Sequence, residues 1–222
     1  MLHEELRTIR DPVLRKVQDH PFWSGLRDGS LPGEALAYFV RQDTAFLLPA
    51  YARALARCAA AAPDDAAALL LGQSVVGTLE ARDELRAAYT SFAAGHGLPA
   101  LDEGSAVAPA THAHASFFGA ATATSFHAGL GALLPMVWFN HEVSDRLKDG
   151  VVAGSRYADW SVTYHPGDSY QYAVRAFLDL VDRAGEECSA AERRVMVEQF
   201  SIGAQYEWDF AESCLRQGSW PM

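Results

Sequence analysis

Gly33-Glu34-Ala35-Leu36-Ala37-Tyr38-Phe39-Val40-Arg41-Gln42-Asp43-Thr44-Ala45-Phe46-Leu47-Leu48-Pro49-Ala50 is the stretch whose reading decides the fold class. Leu36, Phe39, Val40, Phe46, Leu47 and Ala50 recur at three- and four-residue spacing, the period of one helix face, and the pattern runs from Pro32 to Cys58. Asp43 takes the slot between Val40 and Phe46, so its carboxylate is predicted to point inward. Pro32 suits a first helical turn, and Pro49 is expected to bend the helix just past Asp43. Near the other end Phe200, Gly203, Ala204, Phe210, Ala211 and Cys214 make a similar stripe, which Glu207 interrupts in the same way. A core acid must be paired, hydrogen-bonded or protonated, because desolvating the bare ion is expensive. One such acid reads equally well as half of a structural ion pair. Two of them suggest a single polar pocket inside a helical bundle.

The rest of the chain reads as helices and their connections. Residues 3–18 form a first helix with Leu6, Ile9, Val13 and Val17 inward and a kink expected at Asp11-Pro12. A long helix follows from Asp64 to Ala94, closed by Gly95-His96-Gly97. Apolar spacing resumes from about His112 to Leu147, with a break at Thr122–Ser125. A loop at Asp149–Ser155 precedes a helix over Tyr157–Tyr164, and His165-Pro166-Gly167-Asp168 reads as a turn. Two helices finish the chain, the last beginning at Ser189, which has capping-box spacing with Glu192. No strand run or internal repeat is visible.

Composition excludes several classes of function. The 222 residues are enough for one well-buried core, and no linker or composition shift divides them, so one domain over residues 1–222 is expected. Twenty-eight acids against 18 bases give a formal charge of −10, which argues against nucleic acid as a partner, since phosphate contacts need clustered Lys and Arg. Every strongly apolar stretch is broken by charge or by Gly, so neither a signal peptide nor a membrane span is expected, and the location expected is the cytoplasm. Cys58, Cys188 and Cys214 are odd in number and widely spaced, as reduced thiols would be.

Five pieces of sequence occur in a particular order: His20-Pro21-Phe22-Trp23; Asp28-Gly29-Ser30-Leu31-Pro32 and the helix carrying Tyr38-Phe39-Val40-Arg41-Gln42-Asp43; Leu133-Leu134-Pro135 with Trp138 and Glu142; Trp160 with Thr163-Tyr164; and Tyr206-Glu207-Trp208-Asp209-Phe210. In this order the chain resembles the TenA/thiaminase II family over nearly its whole length. The resemblance implies an all-α, heme-oxygenase-like up-and-down helical bundle with a small-molecule pocket between helices. It also implies a pyrimidine ligand, no cofactor and assembly as a homo-oligomer, usually a tetramer.

The family's site residues carry over one by one. By resemblance Asp43 recognises an aminopyrimidine, Glu207 handles protons, and Tyr164, a pocket tyrosine, joins Glu207 as a catalytic residue, while Phe46, His114, Met136, Asn140 and Phe210 line the substrate site. A carboxylate suits that ligand because it accepts from the exocyclic amine and pairs with a ring nitrogen. Around these acids the pocket departs from the family pattern. Met136 stands where a nucleophilic Cys follows Leu133-Leu134-Pro135, and a thioether has no proton to lose. Asn140, Phe46 and His114 stand where the family has tyrosines, the last of them a ring that stacks on substrate. Phe46 and Phe210, each one turn from a pocket acid, are placed to sandwich a flat ring.

The other thiols are poor substitutes for a nucleophile. Cys58 lies about 22 Å along a straight helix from Asp43 at 1.5 Å per residue, Cys214 reads as a small core residue, and Cys188 is expected in an exposed loop. His20 is expected to fix its turn by hydrogen bonding. A di-iron site is the metal alternative within this fold class, and Glu80, Glu84, His114, His141, Glu142, Glu207 and Asp209 supply ligand types for one. No paired carboxylate–histidine repeat of the usual kind is present, and no metal is expected. Three functions therefore stay open: a hydrolase acting on a thiamin-related aminopyrimidine without a Cys nucleophile, a binding protein for a small aromatic ligand, and a di-iron oxygenase-like member.

Overall fold

The computed structural model describes residues 1–102, 104 and 106–221, and among the described residues the regular elements are all helical. They are α1 (Leu2–Gln18), α2 (Pro21–Asp28), α3 (Gly33–Gln42), a π-helical turn (Asp43–Leu47), α4 (Leu48–Ala60), α5 (Asp65–His96), α6 (Pro109–Thr124), α7 (Phe126–Asp149), α8 (Ala158–Tyr164), α9 (Tyr170–Glu187) and α10 (Ala190–Arg216). Local chemistry sets most of the boundaries. Asp64 caps α5 by accepting from the Ala67 N–H, and Gly97, left-handed at φ 63°, ends it. Extended Ser125 separates α6 from α7 and caps the latter through the Ala128 N–H. Ser189 and Glu192 form both halves of the capping box on α10.

The prolines and the turn at His20 settle in three ways. The His20-Pro21-Phe22 segment opens a short helix, α2, in which Nδ1 of His20 accepts from the Phe22 N–H at 3.1 Å and Pro21 takes the first turn. Eight residues are too few for a periodic signal. Helix α1 runs through Pro12 without interruption. The expected bend at Pro49 is taken up earlier, by the π-helical turn, where the Leu48 N–H bonds the Asp43 carbonyl five residues back. Pro49 has no N–H to give the Ala45 carbonyl and its ring crowds that oxygen, so the ladder widens in the turn before it.

Helices α7 and α10 form the most extensive packing contact in the molecule. Two glycines make this close approach possible. A Cβ added at Gly131 would lie 2.2 Å from the Met196 carbonyl oxygen, and one at Gly203 would lie 2.9 Å from Cγ of Pro135 and 3.1 Å from the Ala132 oxygen. Glu207, one turn past Gly203, is thereby set against the Pro135–Asn140 side of α7. Helix α1 braces the same region, with the Arg10 guanidinium 4.4 Å over the Trp138 ring and Nη1 3.0 Å from Glu142. At its start the His3 N–H and ring bond Asp182 of α9 at 2.8 and 2.6 Å. Trp138 and Glu142, singled out in the sequence, thus serve packing.

Candidate functional site

Asp43 is the first residue of the π-helical turn and only 7% exposed. Burial pushes its carboxyl up to about 7. Glu207 reaches it from α10: burial and then the charge of Asp43 raise its carboxyl to about 8, so the two acids share one electrostatic environment. The Glu207 side chain is 17% exposed, but its Oε1 is fully buried with no hydrogen-bond partner among the described residues. No Lys or Arg neutralises either acid in an ion pair among the described residues.

Tyr164, at the end of α8, joins both acids. Its phenol is held well above the usual range by burial and then by Asp43, Glu207 and Tyr170, and its oxygen accepts from Nδ2 of Asn140 at 3.1 Å. Trp23 and Phe39 pack on its ring at 5.7 and 5.9 Å. The next residue fixes the end of the helix, because Nε2 of His165 lies 2.8 Å from Asp145 of α7. His114, 1% exposed on α6, lies with Nε2 4.0 Å from Oε1 of Glu207. Burial lowers it to about 3, so the ring is neutral.

The structure therefore brings Asp43, Glu207, Tyr164, Asn140 and His114 together. Met136 is half-buried beside Pro135 on α7, and Phe46 is half-buried within the π-helical turn. Phe210 packs on Phe39 at 5.6 Å, so its ring already has an aromatic partner. The stacking role suggested for His114 meets a similar obstacle, since Tyr206 lies parallel to its ring at 4.9 Å and Phe118 contacts it at 4.4 Å.

Two tyrosines escaped the sequence reading. Tyr51 donates to the Leu133 carbonyl at 3.0 Å and Tyr170 to that of Val137 at 3.4 Å, and the charge of Glu207 adds to the burial that raises both phenols. Tyr51 stands two turns past Asp43 and was legible on the same stripe. Tyr170 opens a helix after a turn, where periodicity gives no direction.

The thiols offer no activated nucleophile. Cys58 is pushed up to about 12 by burial, and Cys214 is raised by burial and by Asp43 against the opposing charge of Arg41. Cys188 lies in the loop between α9 and α10, as expected, but is half-buried where exposure was expected. Among the described residues no group of three or more His, Cys, Asp or Glu is arranged to hold a metal, and no helix is long and apolar enough to cross a membrane.

Chemically, this cluster offers two carboxyls without a Lys or Arg ion pair among the described residues and poised near neutral pH, a neutral imidazole and a phenol ring. This set suits a flat, basic ligand and proton transfer at one face of it. Comparison with known proteins agrees in fold and lineage. A TenA homologue of known structure from Pyrococcus furiosus superposes with a TM-score of 0.83 at 16% identity, over 96% of this chain and all of that one. Aminopyrimidine aminohydrolase of Bacillus subtilis is 28% identical over 204 residues, 90% of this chain and 84% of that protein. The thiamine biosynthesis multifunctional protein ThiED of Corynebacterium glutamicum is 29% identical over 211 residues, and the chain spans about a quarter of its length, 26%. The sequence model of the TENA/THI-4/PQQC family matches residues 3–217, and the chain belongs to that family.

Proposed function

We propose that this protein hydrolyses the carbon–nitrogen bond of a thiamin-related aminopyrimidine, using water in place of a cysteine nucleophile. The observation that carries the reading is the pair of carboxyls, Asp43 buried and Glu207 largely so, with no Lys or Arg ion pair among the described residues and raised to about 7 and 8. Likeness to two aminopyrimidine aminohydrolases, 28% and 25% identical, supports the substrate class. Asp43 holds the amino-substituted ring edge: its protonated form donates to a ring nitrogen, and its ionised form accepts from the exocyclic amine. Tyr164 supplies an aromatic wall beside it. Glu207 in its ionised form, populated as pH approaches 8, takes a proton from water as the water oxygen bonds to the carbon, then passes that proton to the departing nitrogen, which leaves as ammonia.

Met136 at the position of the usual thiol supports water over covalent attack. Ammonia release from an aminomethyl-substituted aminopyrimidine, measured beside calorimetric binding of the same compound, tests the reading. Turnover is expected. Binding without turnover would leave a non-catalytic pyrimidine-binding protein instead.

A further inference from the structure

We propose that His114 acts through a ring nitrogen, holding the attacking water against Glu207, and is a positioning residue for the hydrolysis; this rests on the reaction proposed above. Two rings already contact its imidazole, Tyr206 parallel at 4.9 Å and Phe118 at 4.4 Å, so the nitrogens are what the side chain has to offer a ligand. Neither nitrogen has a hydrogen-bond partner among the described residues, although the residue is 1% exposed. A buried imidazole in that condition forfeits both of its hydrogen bonds, an arrangement that a purely structural histidine avoids.

Its nearest acid is in the same condition. Oε1 of Glu207 is buried without a partner, and the two atoms stand 4.0 Å apart. That gap is too long for a direct hydrogen bond and matches one oxygen within ~3 Å of each atom. The neutral ring matters here, because an imidazolium would be drawn onto Glu207 and neutralise the base. A neutral imidazole has one donor and one acceptor, so it can orient the water without competing for its proton. As the C–O bond forms and the C–N bond breaks, the water proton goes to Glu207 and on to the leaving nitrogen, and His114 ends the cycle as neutral as it began.

Steady-state kinetics of His114→Phe and His114→Gln with the aminomethyl-substituted aminopyrimidine test this role. Phe keeps a ring beside Tyr206 and loses the nitrogens, so kcat is expected to fall roughly 10- to 100-fold with KM within about twofold of the native value. Gln restores a hydrogen-bonding group and is expected to recover part of the loss. Native kcat in His114→Phe, or a loss confined to KM, would overturn the proposal and return His114 to ring packing. A crystal structure of the native protein gives a reading independent of whether the variants fold: an ordered oxygen within hydrogen-bond distance of both His114 and Glu207 is expected, and its absence from well-defined density would overturn the role. A native protein that releases no ammonia removes the hydrolysis itself, and this role with it, an outcome distinct from a fully active His114→Phe.

Discussion

Asp43 and Glu207 sit where an apolar residue would pack better, and their burial converts two ordinary carboxyls into groups that gain and lose protons near neutrality. Asp43→Asn keeps the shape but replaces a carboxyl with an amide whose donor and acceptor are fixed. It is expected to weaken aminopyrimidine binding by about 1–3 kcal/mol, read by calorimetric titration of both proteins. Equal affinities would remove Asp43 from recognition. Glu207→Gln is expected to abolish ammonia release while leaving binding within a few-fold, because an amide cannot shuttle a proton. Thiol alkylation should leave turnover intact, since Cys58 and Cys214 are buried and held as thiols. Loss of activity on alkylation would point to Cys214, the thiol beside Asp43. At this scale the sequence was informative where a residue broke a pattern: an acid on an apolar stripe is conspicuous. His114 stood out in the sequence only as a ring in place of the family's tyrosine, and its value lies in unpaired nitrogens that only three-dimensional packing reveals.

Elements were legible in proportion to their length and their caps. The long helices α5 and α10 announced themselves through Asp64, Gly97 and the Ser189–Glu192 box, whereas α2 was too short to show a period. The π-helical turn was legible only as trouble near Pro49, because a proline states that the ladder must change without stating on which side. That turn places Asp43 at its first position, and the α7–α10 crossing places Glu207, so the spacing of the two acids depends on both. Gly131→Ala tests the crossing. Its new methyl would meet the Met196 carbonyl at 2.2 Å, and the helices must separate to admit it. A loss of about 1–3 kcal/mol of stability is expected in denaturant unfolding, with a larger proportional loss of turnover as Glu207 moves off its water. A variant as stable and active as the native protein would show that the crossing tolerates the shift.

For the whole molecule, burying these groups makes stability depend on pH with a sign opposite to that of paired surface acids. Asp43 and Glu207 have folded values of about 7 and 8 against ordinary values of 3.8 and 4.5, so between those limits the folded chain holds protons that the unfolded chain has lost. Their contribution is fully present below about pH 4 and is lost as pH rises, through about 7 for Asp43 and about 8 for Glu207. His114 opposes them: its folded value of about 3 against 6.5 makes its contribution grow as pH rises toward 6.5. Each unmatched proton changes stability by at most about 1.4 kcal/mol per pH unit, and two carboxyls against one imidazole leave a net decline above pH 5. Denaturant unfolding of the native protein and of the Asp43→Asn/Glu207→Gln double variant, from pH 5 to pH 8, isolates the acids, because His114 and the surface charges are common to both. The native protein is expected to lose stability relative to the variant across that range and to level off above pH 8. If it gains on the variant instead, the two carboxyls are ionised and compensated in the folded state, and a cluster of unneutralised buried acid is the wrong description of the site.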